Sequence, residues 1–412
     1  MGETALRQRN RLRVVDALRR TGPATRADIT RVSGLSRATV SSLVAELLDA
    51  GVLAEQKPDA AGAAAPRTGR PPVLLALDAS AGAAVGVDFG HRHLRVAVAD
   101  LSAQVLAERR VELDVDHEAA AGLDAAAELI GEVLADAGVP RETVLGCGMG
   151  LPGPIDRATG TVGSTVILPG WVGLHAAEEL AALVELPVAV DNDANLGALA
   201  EMTYGAARGV RDLLYVKVAS GIGCGVVIDG RVHHGSRGIA GEIGHVHVDA
   251  GGRICRCGNR GCLETVAGGA ALLALLRESH GEDLTLPGLL ALSAHGDVGA
   301  RRALGDAGRA IGRALADACN ILNPELIVFG GELATAGDPL LGGVREALGR
   351  YALPAAVATT RVTRGVLGDR AEVLGALALV IADTENLRSA GLGALSTTTP
   401  TTTTTPVRGG ST

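Results

Sequence analysis

Apolar residues recur at helical spacing three times over the opening fifty positions: Leu12, Val15 and Leu18; then Ala27, Ile29 and Val32; then Val40, Leu43, Val44, Leu47 and Leu48. Each run is short, so the pattern predicts three small helices. Thr25, with Asp28 three positions on, opens the second as a capping box, and Ser36 opens the third after the turn Ser33-Gly34-Leu35. On a helical wheel the apolar side of the third helix leaves Ala38, Ser41, Ser42 and Ala45 outward, flanked by Arg37 and Thr39. Two apolar strands, Gly51-Val52-Leu53 and Val73 to Leu77, bracket an Ala-, Gly- and Pro-rich loop from Lys57 to Pro72. A helix-turn-helix followed by a looped ribbon is the outline of a winged helix, expected over residues 1–78.

Beyond it, buried strands alternate with helices, the pattern of an α/β body. Val85 to Gly90 and Leu94 to Asp100 read as two strands joined by a tight turn. Gly148 to Asp156 ends a buried strand in a rigid Gly and Pro loop, and Leu168-Pro169-Gly170-Trp171 follows, both expected to wall a cleft. Val188-Ala189-Val190 runs into Asp191-Asn192-Asp193-Ala194-Asn195, delivering carboxylates and amides to a strand's carboxyl end, where open α/β folds bind ligands. Ile311 to Leu322 reads as a helix leading into a strand that ends at Gly330-Gly331. The most apolar segment, Val373 to Ala382, is too short to cross a membrane and reads as a buried helix. Residues 389–412 include Thr397 to Thr399 and Thr401 to Thr405, lack apolar periodicity and are expected to be disordered.

Composition narrows the classes. With 412 residues and 47% hydrophobic content, the chain can fill more than one core. Six aromatic residues are too few for base-stacking platforms on single-stranded nucleic acid. Residues 1–72 carry 12 Arg or Lys against 7 Asp or Glu, a balance of +5, so the rest of a chain of net charge −8 carries −13. Only the first segment is therefore suited to a polyanion, and double-stranded DNA is the expected partner. On the third helix Ser36, Arg37, Thr39, Ser41 and Ser42 are placed to read it, while Arg70, inside the Arg-Pro-rich loop, is placed for a narrow minor groove. Arg7, Arg9, Arg11 and Arg13 interrupt any leader-like start, and the chain reads as cytoplasmic.

Three of six cysteines, Cys255, Cys257 and Cys262, crowd into eight positions, with His245 just upstream. One His and three Cys give Zn²⁺ four suitable ligands with no open position, so a structural zinc is expected, holding Glu242 and Glu264 about a cleft. His91, His93, His233, His234 and His247 have no metal spacing and read as solvated or turn histidines. In the cleft Asp193, beside Asn192, suits a hydroxyl-rich ligand and would be the general base of a phosphoryl transfer. Asp88 and Gly90, with Gly221 and Gly223 in the run Ser220 to Gly230, are the candidate phosphate-binding positions.

Four motifs in order, Gly150-Leu151-Pro152-Gly153-Pro154, Asp191 to Asn195, Ala240 to His245 and Cys255 to Glu264, carry a resemblance to the ROK family of repressors, open reading frames and sugar kinases. It spans residues 5–388, and the closest likeness is to members with an N-terminal winged helix. The resemblance implies an actin-like (ribonuclease H-like) two-lobed sugar kinase fold, with lobes at 79–195 and 196–388. It implies sugar contacts from Gly153, Asn192, Asp193, Glu242, His245 and Glu264, and zinc held by His245, Cys255, Cys257 and Cys262. Three departures bear on activity. Gly90-His91-Arg92-His93 is bulky where a second Gly and a Thr are expected, Ile167 stands where the kinases carry a sugar-contacting Asn, and Cys224 replaces a Gly. ATP with Mg²⁺ is accordingly not expected to bind. The sequence thus predicts a sugar-responsive regulator binding operator DNA as a homodimer or homotetramer. The competing readings are an ATP-dependent hexose kinase carrying an extra DNA-binding domain and a zinc-organised scaffold.

Overall fold

A computed structural model describes residues 2–56, 73–78, 82–156, 159–162 and 167–389. Helices α1 (Gly2–Thr21), α2 (Arg26–Ser33) and α3 (Arg37–Asp49) precede a ribbon of β1 (Leu53–Gln56) and β2 (Leu74–Leu77). Their core joins Val14, Val15, Leu18, Ile29, Val40, Leu43, Val44, Leu47 and Leu75, matching most of the apolar periodicity; Ala27 is exposed, and Ala24 is buried instead. Both predicted caps form. Asp28 N donates to Thr25 Oγ1 at 3.2 Å with Thr25 N donating back to Asp28 Oδ2 at 3.3 Å, and Thr39 N donates to Ser36 Oγ at 3.2 Å. The first strand begins two residues later than expected, because Gly51, at φ 68°, turns the chain off α3 and Val52 N still bonds Leu47 O. Arg70 and the rest of the wing loop lie outside the described residues, as does the Thr-rich stretch.

The body holds two five-stranded sheets of identical plan. The first has the order β5-β4-β3-β6-β9, from β3 (Ala83–Gly90), β4 (His93–Asp100), β5 (Val105–Glu112), β6 (Val144–Leu151) and β9 (Val188–Asn192). Between β6 and β9 lie the short pair β7 (Ile155–Asp156) and β8 (Thr161–Val162) and helix α5 (Ala176–Val184), while α4 (Ala119–Ala137) precedes β6. Helix α6 (Asp193–Thr203) leads to the second sheet, β12-β11-β10-β13-β14, from β10 (Leu213–Val218), β11 (Ile222–Ile228), β12 (Arg231–Val232), β13 (Leu326–Gly330) and β14 (Arg361–Arg364). Its helices are α7 (Glu264–Ala267), α8 (Gly269–His280), α9 (Leu286–Ala294), α10 (Val298–Leu322), α11 (Asp338–Tyr351) and α12 (Pro354–Thr359). In each sheet the first three strands form an antiparallel meander and the last two add in parallel.

The final helix, α13 (Ala371–Ser389), belongs by sequence to the second lobe but packs on α6 and on the first sheet. Glycines make this possible: a Cβ on Gly86 would lie 2.7 Å from Val373 O, and one on Gly148 would collide with the Ala376 carbonyl. The expected 196–388 lobe thus gives its last helix to the other side. Trp171 is also displaced from its expected place in a cleft wall. It is fully buried in the first lobe, edge-on to Phe89, with Nε1 donating to Val115 O at 2.7 Å.

Candidate DNA-reading face and ligand cleft

On α3, Ser36, Arg37, Ala38, Ser41, Ser42 and Ala45 are exposed and Thr39 is half-buried, the face anticipated. Its polar groups are not equivalent. Ser36 and Thr39 share a hydroxyl hydrogen bond of 2.8 Å at the helix start. Ser42 Oγ accepts from Arg7 and lies 3.3 Å from Glu46, which ties α3 to Arg7 and Arg11 of α1. The Arg7 guanidinium first, then Arg11, holds the Glu46 carboxyl down at about 2. Arg37 and Ser41 have no side-chain partner among the described residues, so they are the two groups with unspent donors.

The cleft is built where β9 ends and α6 begins. Asn192 caps α6, its Oδ1 accepting from Ala194 N at 2.9 Å, while its Nδ2 donates to Gly153 O at 2.9 Å. One amide hydrogen remains for a ligand. Asp191 is taken by Asn195 Nδ2 at 2.9 Å and His234 Nε2 at 2.7 Å. His234 is therefore a part-buried partner rather than a solvated turn residue. Asp193 is 2.9 Å from Lys217 Nζ, and Lys217 is 3.0 Å from Glu372 on α13. Burial acts against the Lys217 ammonium, but Asp193, Glu372 and Asp88 outweigh it and hold its pKa well above the ordinary lysine value.

Across from Asp193 stand Glu242, His245 and Glu264. Burial first, then the charges of Asp193 and Glu264, pushes the Glu242 carboxyl up to about 7. His245 turns Nε2 toward Glu242 at 3.8 Å and Nδ1 toward Cys255 Sγ at 3.6 Å. Glu264 accepts from Arg256 at 3.3 Å and from the Cys255 thiol at 3.1 Å. The ligating atoms of His245, Cys255, Cys257 and Cys262 all lie within 4.8 Å of one another, with Cys257 and Cys262 sulfurs 3.6 Å apart. A tetrahedral zinc with bonds of about 2.3 Å separates its ligand atoms by about 3.8 Å, so the quartet fits such an ion.

The two glycine turns lie close against the chain's own side chains and backbone. In the first, His93 folds back over Gly90 and its Nε2 sits 3.0 Å from Asp88 Oδ2, while His91 pairs with Asp116 at 2.7 Å. Neither histidine is a free turn residue, since the hairpin aims both rings at carboxylates. In the second, the glycines of β11 serve packing: a Cβ at Gly223 would press on Ala194, and one at Gly225 would lie 2.5 Å from Ala194 O. Gly221 lies against Arg256 and Glu264. No motif singles out Lys217; its place inside the apolar strand Leu213–Val218 is the signal the sequence offers. Nothing local pointed to Glu372.

Comparison with known proteins accounts for both parts of this chain. The model of the MarR family matches residues 8–63. The xylose repressor of Caldicellulosiruptor bescii is 29% identical over 92% of this chain and 97% of its own length. The crystal structure of a ROK family transcriptional regulator, homologous to the Escherichia coli Mlc protein, superposes with a TM-score of 0.76 at 27% identity, covering 93% of this chain and 98% of that one. A glucokinase from Streptomyces griseus, solved with glucose and AMPPNP, covers 72% of this chain and 99% of its own, with a TM-score of 0.63 at 27% identity. No helix among the described residues is long and apolar enough to cross a membrane. The ROK family model matches residues 84–383, the whole two-sheet body that carries the cleft and the His-Cys quartet, and the chain belongs to the ROK family.

Proposed function

We propose that this chain is a sugar-responsive, DNA-binding transcriptional regulator, a cytoplasmic repressor of carbohydrate genes. One observation carries the reading. A winged helix with an unspent reading face shares a chain with a cleft of carboxylates and amides in which His93 pairs with Asp88 and Lys217 with Asp193. Sugar hydroxyls donate to Asp193, Glu242 and Glu264 and accept from His245 and the remaining Asn192 hydrogen, with Gly153 backing Asn192. Zinc on His245, Cys255, Cys257 and Cys262 is structural, because four protein ligands leave no position for water. It fixes His245 and the segment leading into Glu264, and so shapes the sugar-facing wall. ATP with Mg²⁺ takes no part.

Arg37 and Ser41 read base edges, with Ser36, Thr39, Ser42 and Arg70 on the flanking backbone or minor groove. A homodimer or homotetramer presents two such helices to a pseudo-palindromic operator. Fluorescence anisotropy on DNA from the gene's own upstream region, with D-xylose, D-glucose, N-acetylglucosamine and their phosphates, tests this directly. One sugar is expected to change the Kd at least tenfold, and DNA binding indifferent to every sugar and phosphate tried would overturn the effector reading.

The likeness to the glucokinase favours one other reading, an ATP-dependent hexose kinase with Asp193 as general base and Asp88, Gly90, Gly221 and Gly223 at the phosphates. Coupled-enzyme assays of the same sugars with MgATP are expected to give no turnover above a no-sugar control. Sustained turnover of any of them would establish the kinase.

A further inference from the structure

Lys217 stands at the meeting point of three acidic side chains that come from three different elements. Asp193 opens α6 and lies 2.9 Å from Nζ, Glu372 on α13 lies 3.0 Å from it, and Asp88 of β3 is close enough for its charge to act on the ammonium. Asp88 and Glu372 are almost wholly buried, at 3% and 6% side-chain exposure. Three carboxylates around one monovalent cation leave two negative charges unbalanced and match the donor set of an oxygen-ligated divalent ion. A second observation points the same way. Glu372 Oε1 is buried, and its ion pair with Lys217 at 3.0 Å is its one polar contact among the described residues. Above this cluster Tyr215 is fully buried, wedged against Gly197 and Gly330, with its hydroxyl unpartnered.

We propose that Lys217 is a tethered counter-ion: its ammonium fills a divalent-cation position framed by Asp88, Asp193 and Glu372, and so holds Asp193 as a fixed anionic acceptor with neither metal nor nucleotide present. Lys217 acts through Asp193 and is a positioning residue. The proposal rests on the cleft being an effector site. It explains how such a site works without a cosubstrate: the charge that would otherwise arrive with a ligand is covalently part of β10. With Nζ already between Asp193 and Glu372, a soluble divalent ion finds the position taken.

The test is Mn²⁺ binding to the zinc-loaded full chain, read by electron paramagnetic resonance of free Mn²⁺ and by calorimetry. Wild type is expected to bind none at this position. Lys217→Ala is expected to bind one Mn²⁺ per chain at millimolar or lower concentration, and adding Glu372→Gln should weaken that binding at least tenfold. Lys217→Arg keeps the charge and should bind none. Should Lys217→Ala fold poorly, its melting temperature should rise with Mn²⁺ while that of Lys217→Arg does not. Failure of Lys217→Ala to bind or be stabilised by Mn²⁺, or equal binding by wild type or Lys217→Arg, would overturn the proposal. This outcome is separable from the effector reading. If sugars shift DNA binding in wild type while Lys217→Ala takes up no Mn²⁺, only the counter-ion fails; if no sugar acts while the Mn²⁺ result holds, only the effector reading fails.

Discussion

Arg37→Ala is the substitution that separates reading DNA from holding the fold. Arg37 is the first residue of α3, fully outside the core of Val40, Leu43, Val44 and Leu47, and it pairs with nothing among the described residues. Its removal therefore changes domain stability by no more than about 0.5 kcal/mol, the range of surface substitutions away from caps and cores. A guanidinium spanning two acceptors of guanine is worth about 1–3 kcal/mol per base pair read, or roughly 5- to 150-fold in Kd for each half-site. The assay is anisotropy on the cognate operator and on a scrambled duplex, each at several salt concentrations. If Arg37 reads a base, only the cognate affinity falls and the preference between the two duplexes shrinks. If it meets a phosphate, both affinities fall together and the salt slope drops by about 1. Ser36→Ala provides the contrast, because it removes the α3 cap and costs about 1 kcal/mol of stability. Unchanged cognate binding by Arg37→Ala, with melting also unchanged, would refute the placement of this face on DNA.

Three further outcomes follow from the geometry. Cys257→Ser should lower bound zinc by about one ion per chain by elemental analysis and reduce the melting temperature of the body, whereas full zinc content would contradict the quartet. Gly86→Ala puts a methyl 2.7 Å from Val373 O and 2.9 Å from Leu377 Cγ, forcing α13 off the first sheet; a loss of about 1–3 kcal/mol in urea unfolding is expected, and a loss below 0.5 would show that the crossing is looser than described. Glu46 sits lower in the folded chain, at about 2, than its ordinary value of 4.5, so its contribution is complete above pH 4.5 and fades as pH falls toward 2. Solvent screening of the exposed Arg7 limits that contribution to about 1 kcal/mol. Melting of wild type and Glu46→Gln should converge between pH 4.5 and 2.5, and a gap independent of pH would refute the ion pairing.

Features set by neighbours in the chain were legible in the sequence. Thr25 with Asp28, Ser36 with Thr39 and the Cys255 to Cys262 cluster each act over three to seven residues, a distance at which side-chain type and spacing decide geometry. The apolar period likewise placed the core of α3 and left Arg37 and Ser41 outward. What tertiary structure alone decided lies at long separation or depends on ring direction. His93 reaches Asp88 only because the hairpin folds its ring back, and His234 meets Asp191 across 43 positions. Lys217 meets Glu372 only because Gly86 and Gly148 let the last helix lie directly on the first sheet. A sequence reports which residues are polar and how often apolar ones recur. Which carboxylate a buried cation faces is fixed by how helices and sheets pack, and desolvation then makes that pairing obligatory.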